Sequence, residues 1–148
     1  MVDTQQAPGP TPEPLGTAAA GRRPLIVVGY SSKPEGRAAL KRALSEAEMR
    51  HAELVVVHTS TEAEVAALQG ELAASGIPFQ IKEAADSLDP AEELIATADD
   101  RDAEFIVIGL RRRSPVGKLL LGSNAQRVLL DAACPVLAVK AEERPSGR

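Results

Sequence analysis

The stretch GLRRRSPVGKLLLGSN, Gly109–Asn124, concentrates residue types that handle anions. It leaves an apolar run at Gly109, passes Arg111, Arg112 and Arg113, and closes on Gly122-Ser123 before a helical pattern. Glycine lets backbone approach a ligand closely, and the free N–H groups of a helix's first turn attract negative charge. Arginine adds planar, charge-assisted donors that suit phosphate or carboxylate. The same residues also read as a turn, a helix cap and an exposed basic patch. Two common phosphate loops are excluded by spacing. A Walker A loop needs G-x-x-x-x-G-K-[ST], but Gly117-Lys118 is followed by Leu119 and the first glycine position holds Arg112. No G-x-G-x-x-G occurs.

Other chemistry is sparse. The two histidines are His51, at a helix end, and His58, at a strand exit. With one cysteine and no tight acidic cluster they form no metal-ligand set of recognisable spacing. His58 has no Asp or Ser that the sequence places beside it, so it reads as structural. Cys134 lies in the apolar context AACPVLAV and reads as a buried, inert thiol. No general base or water-orienting group stands out, so no enzyme activity is expected.

The chain has 148 residues, enough for one domain with a core. Hydrophobic residues are 44% of it and aromatics 2%, so that core is built from Ala, Val, Leu and Ile. A net charge of −4 argues against a nucleic-acid binder, which needs a broad basic face. No apolar run approaches the roughly 20 residues of a membrane span, and the N-terminus lacks the pattern of a secretory signal. A cytoplasmic location is expected.

The elements that must position the loop alternate along the chain. Residues 1–23 are rich in Pro, Gly, Ala and Thr and are expected to be a disordered tail; residues 142–148 are expected to fray. Between them, at 24–141, lies the folded domain. LIVVGY (25–30), ELVVVH (53–58), IPFQIKEA (77–84), EFIVIG (104–109) and CPVLAVK (134–140) read as strands. The third alternates apolar and polar residues, as an edge strand does. Helices fall between them. Pro34 opens the first, with Leu40, Ala43, Leu44 and Ala47 as its stripe. Thr61 and Glu64 form a capping box on the second, with Val65, Leu68 and Leu72 as its stripe and Gly76 as its stop. Asp89 caps the third, followed by Pro90 and by Ala91, Leu94, Ile95 and Ala98. Ser123 and Gln126 form a capping box on the fourth, with Ala125, Val128, Leu129 and Ala132 as its stripe. This order predicts one doubly wound, Rossmann-like α/β domain with five mostly parallel strands. Ligands on such sheets bind beyond the carboxyl ends of the strands, where strand order reverses. The loops to inspect are therefore YSSKP, HTST, SLDP and the arginine loop.

IVVGY in the first strand, VVVH in the second, IVIG before the long loop, and GSNAQRVLLDAACPVLAVK at the end together resemble the universal stress proteins of the UspA type. The likeness spans Leu25 to Lys140 and implies the adenine nucleotide alpha hydrolase-like variant of the fold. Nucleotide-binding members carry G-x-x-G-x9-G-[ST]. This chain keeps the spacing with Gly109, Gly122 and Ser123 but has Arg112 at the second glycine. An arginine there either obstructs the loop or replaces backbone contacts with a guanidinium. Such members also carry an acidic residue after the first strand, where this chain has Ser31, so little is offered to Mg²⁺. The resemblance gives Gly29, Tyr30, Ser31, Thr59, Gly109, Arg112, Gly122, Ser123 and Asn124 as candidate contacts to a nucleotide, ATP or AMP, or to another phosphate ligand. It also implies a homodimer paired through the final strand, Pro135–Lys140. Three functions stay open: a nucleotide-binding stress sensor or regulator, an interaction module of the same family without nucleotide, and, ranked last, a slow ATP hydrolase. The two roles of Arg112 separate in one variant. If the side chain obstructs, Arg112→Gly raises nucleotide affinity; if it clamps phosphate, the same change lowers it, as read by isothermal titration.

Overall fold

The computed structural model describes residues 23–84, 89–111 and 121–141, so Arg112 and the two expected tails, apart from Arg23, lie outside the described residues. The element order is β1 (Leu25–Tyr30), α1 (Pro34–Arg50), β2 (Glu53–His58), α2 (Glu62–Ser75), β3 (Phe79–Glu83), α3 (Pro90–Arg101), β4 (Phe105–Leu110), α4 (Ser123–Asp131) and β5 (Val136–Lys140). The five strands form one sheet in the order β3-β2-β1-β4-β5, and every pairing is parallel. The doubly wound α/β architecture is as expected.

The inner strands are apolar on both faces because each face carries helices. One set of alternating residues, including Ile26, Val28, Leu54, Val56 and Val107, packs against Leu40 and Ala43 of α1 and Leu68 and Leu72 of α2. The opposite set, including Val27, Val55, Val57 and Ile106, packs against Ala91, Leu94 and Ala98 of α3 and Val128 of α4. With almost no aromatics, the layers meet through small and branched side chains. Ala39, Ala43 and Ala47 of α1 are essentially without solvent contact, which lets that helix lie close to the sheet.

Local signals explain most boundaries. Thr61 and Glu64 make the reciprocal capping box, and Gly76 ends α2 at φ 77°. The Asp89 side chain accepts the Glu92 N–H at 3.0 Å, with Pro90 following. Pro34 opens α1, and His51 closes it in the left-handed region at φ 56°. β3 lies at one edge, in keeping with its alternation.

Several expectations are corrected, among them the third strand, which runs Phe79–Glu83 and not 77–84. The fourth helix is capped by Gly122, not Ser123: Gly122 is extended and its carbonyl accepts the Gln126 N–H at 3.0 Å. Ser123 thus becomes the first helical residue, and no side chain caps the helix. Leu129, assigned to the buried stripe of that helix, is 38% exposed; α4 rests on α3 and β4 mainly through Val128. β5 starts at Val136 instead of Cys134, because pairing begins with the Pro135 carbonyl accepting the Ile106 N–H at 3.0 Å. Cys134, expected to be buried, is only half-buried because it precedes the strand, and desolvation still pushes its thiol up from the ordinary range.

The two helix starts give a paired prediction. Asp89→Ala should lower stability by about 1 kcal/mol, the usual loss of a side-chain cap, whereas Ser123→Ala should change it by less than about 0.5 kcal/mol. Urea unfolding midpoints of the two variants measure this difference.

Candidate functional site

The connection from β1 leads outward to β2 and β3, while β4 returns on the other side of β1. Helices α1 and α3 therefore depart to opposite faces, and a crevice opens beyond the carboxyl ends of β1 and β4. A cavity of about 220 Å³ lies there. Its floor includes Gly29, Val57, Leu94 and Ile108, and its polar lining includes Ser31, Glu35, His58, Thr59 and Asn124. The mostly apolar wall with a few converging polar groups is the general form of a small-molecule site.

Two close approaches shape this end of the sheet. A Cβ placed on Gly109 would overlap the backbone carbonyl of Glu35 in the first turn of α1. A Cβ on Gly36 would overlap the backbone and hydroxyl of Ser31. The two glycines thus let the start of α1 sit directly on the exits of β4 and β1. Ser31 is engaged in the turn itself, where its Oγ accepts the Lys33 N–H at 3.3 Å. His58 is buried, and its Nδ1 accepts the Ser60 N–H at 3.0 Å, which places a neutral ring's proton on Nε2. This contact fits the structural role read for it, although the ring also lines the cavity.

The outer wall is held by one arginine. Arg127 of α4 donates to Glu92 at 2.8 Å and to Asp131 at 3.1 Å, and lies 3.6 Å from Asp89. It ties the start of α3, which supplies Pro90 and Leu94, to the helix that supplies Asn124, Ala125 and Val128. At the mouth, Arg111 pairs with the Glu35 carboxylate at 3.6 Å.

Of the expected contact residues, Gly29, Tyr30, Ser31, Thr59, Gly109 and Asn124 line this cavity together. The Tyr30 hydroxyl accepts from Arg37 at 3.1 Å and is tied to α1. Gly122 and Ser123 are exposed at the start of α4 and are not among the lining residues. Arg112 lies outside the described residues. Glu35 and Gly36 were missed by the sequence reading. One signal for them existed: a glycine in the second position after Pro34 costs a helix about 1 kcal/mol relative to alanine and so demands a packing reason.

The described residues contain no group of three or more His, Cys, Asp or Glu placed to hold a metal ion. No helix among them is long and apolar enough to cross a membrane.

The family model of the universal stress proteins matches residues 24–88 and 60–140, which together span the folded region. The chain belongs to the universal stress protein family. A universal stress protein of Mycolicibacterium smegmatis is 45% identical over 127 residues, covering 78% of this chain and 97% of that protein. The structure of a universal stress protein from Archaeoglobus fulgidus superposes with a TM-score of 0.62 at 30% identity, covering 80% of this chain and 99% of that one. A universal stress protein from the same organism, solved in complex with dAMP, has the same fold at 24% identity and a TM-score of 0.56, covering 80% and 98%.

Within this universal stress protein, Gly109 has a packing role that is independent of any ligand. Gly109→Ala should therefore destabilise the ligand-free protein by about 2–3 kcal/mol, because rigid backbone, not a flexible side chain, must yield. Gly122→Ala, where an added Cβ meets nothing within 4 Å, should cost less than about 1 kcal/mol. Thermal and urea unfolding of the two apo variants distinguish a packing glycine from one needed only for ligand approach.

Proposed function

We propose that this universal stress protein binds an adenine nucleotide in the crevice between β1 and β4 and acts as a stress-response sensor or regulator. The observation that carries the reading is the cavity at the reversal of strand order, which gathers Gly29, Tyr30, Ser31, Thr59, Gly109 and Asn124 around an apolar floor. A protein of the same fold was solved in complex with dAMP. A volume of about 220 Å³ is below the roughly 300 Å³ at which drug-sized pockets begin. It suits the base and sugar of a mononucleotide, with phosphate directed outward to the start of α4, where free N–H groups favour an anion. The ligand is AMP or ATP, and Mg²⁺ has little to hold it once Ser31 stands where a carboxylate would help. The role is binding, not catalysis.

A second reading, an interaction module that takes no nucleotide, has its own support. The Ser31 hydroxyl is already engaged by Lys33, and the packing of Gly109 on Glu35 accounts for that glycine without a ligand. Both readings include a homodimer through the edge strand β5 and the preceding Pro135, since Leu137 and Val139 pack on the core yet stay partly exposed on an edge that a second copy would cover.

The deciding experiment is mass spectrometry of small molecules released from the purified protein, with thermal unfolding in millimolar AMP and ATP. Binding to the folded state should raise the midpoint with ligand concentration. No released nucleotide and no shift with either ligand removes the sensor reading in favour of the module. Sedimentation of the same sample should give a dimer mass, reduced to a monomer mass by Leu137→Arg.

A further inference from the structure

Glu35 is the one Asp, Glu, Lys or Arg among the described residues lining the cavity. Its side chain is 20% exposed, and its Oε2 lies 3.6 Å from Nη1 of Arg111, which is 43% exposed. The carboxylate cannot be carried away by an easy movement of α1, because the backbone of Glu35 is seated on Gly109 and that of Ser31 on Gly36. It stands in the first turn of α1, just after Pro34. The lining therefore carries a carboxylate held in place by the backbone beneath it, and Arg111 is engaged by that carboxylate.

We propose that Glu35 sets the charge selectivity of the pocket, so that this site discriminates against ligands in proportion to their negative charge. The inference rests on the adenine-nucleotide reading above. A carboxylate in the wall accepts hydrogen bonds from hydroxyl or amino groups but repels phosphate oxygens. An anionic ligand must either sit near that charge or draw Arg111 away, which leaves Glu35 partly buried and unpaired. A neutral nucleoside meets neither cost. Phosphate contacts elsewhere in the site add affinity of their own, so the signature of Glu35 is how the three affinities change on its neutralisation, not their absolute order.

The test uses the full chain as wild type, Glu35→Gln and Glu35→Asp, titrated calorimetrically with adenosine, AMP and ATP in the presence of EDTA. Gln keeps the size and removes the charge; Asp keeps the charge. In Glu35→Gln, AMP should bind about threefold tighter and ATP about tenfold tighter, with no comparable gain for adenosine. The gain for ATP should shrink in high salt, and Glu35→Asp should show no such graded gain. An equal change for all three ligands, no change for ATP, or a loss for ATP would overturn the proposal while leaving the nucleotide reading in place. If neither wild type nor Glu35→Gln binds adenosine, AMP or ATP, the nucleotide reading falls and the selectivity proposal with it. If only Glu35→Gln binds ATP, Glu35 excludes the anion outright and the proposal is supported.

Discussion

The parallel pairing of β1 with β4 is the constraint on which the rest of this molecule depends. Ile26 to Val28 of β1 pair with Phe105 to Val107 of β4, while β1 pairs on its other side with β2. Because the chain reaches β4 only after completing β2 and β3 on that other side, the helices that follow β1 and precede β4 lie on opposite faces of the sheet. Among the described residues, no connection crosses the gap between the two strand ends. The crevice is a consequence of strand order before it is a consequence of any particular side chain.

That crevice would be wider and shallower if α1 began further from the sheet. It begins close because Gly109 and Gly36 have no side chains to hold the two layers apart. A residue pattern associated with ligand approach is here also a packing device, and the two roles are compatible. The backbone that touches Glu35 is the backbone at the edge of the cavity. The arrangement also decides what else is present at the mouth. Once the first turn of α1 rests on β4, Glu35 and Arg111 come within ion-pair distance, and the Ser31 hydroxyl fills the space left by the missing Gly36 side chain while it accepts the Lys33 N–H.

The fold was legible because its signals are local and repeated. Runs such as LIVVGY and ELVVVH have no polar face, and helices capped by Thr61 and Asp89 carry their own start signals. Where reading failed, the deciding force was tertiary or a matter of one residue in register. Gln126 sits at the spacing of a capping box from Ser123, yet the helix starts from Gly122 because an extended glycine carbonyl meets the Gln126 N–H equally well. Leu129 fits a helical stripe, yet α4 is short and touches its neighbours through so few residues that the stripe has only Val128 fully under cover. In the site, residues at strand exits were legible because topology places all strand exits together. Glu35, Gly36 and the Arg127 clamp were not, since each depends on which helix touches which strand end, and periodicity within one element says nothing of that.

The electrostatic consequence follows from the same geometry. The basic character of the sequence around Gly109 suggests an anion site, but sequence places charges along a line and the fold places them in space. Arg111 turns out to face a carboxylate contributed from more than seventy positions earlier in the chain. Arg127, which sequence proximity would assign to the same basic region, is spent on Asp89, Glu92 and Asp131. These two arginines, which look available in the sequence, are therefore paired with carboxylates around the crevice. The described residues also offer an anion donors that are neutral in formal charge: the backbone N–H groups at the start of α4, which are oriented by the helix and need no counter-ion of their own.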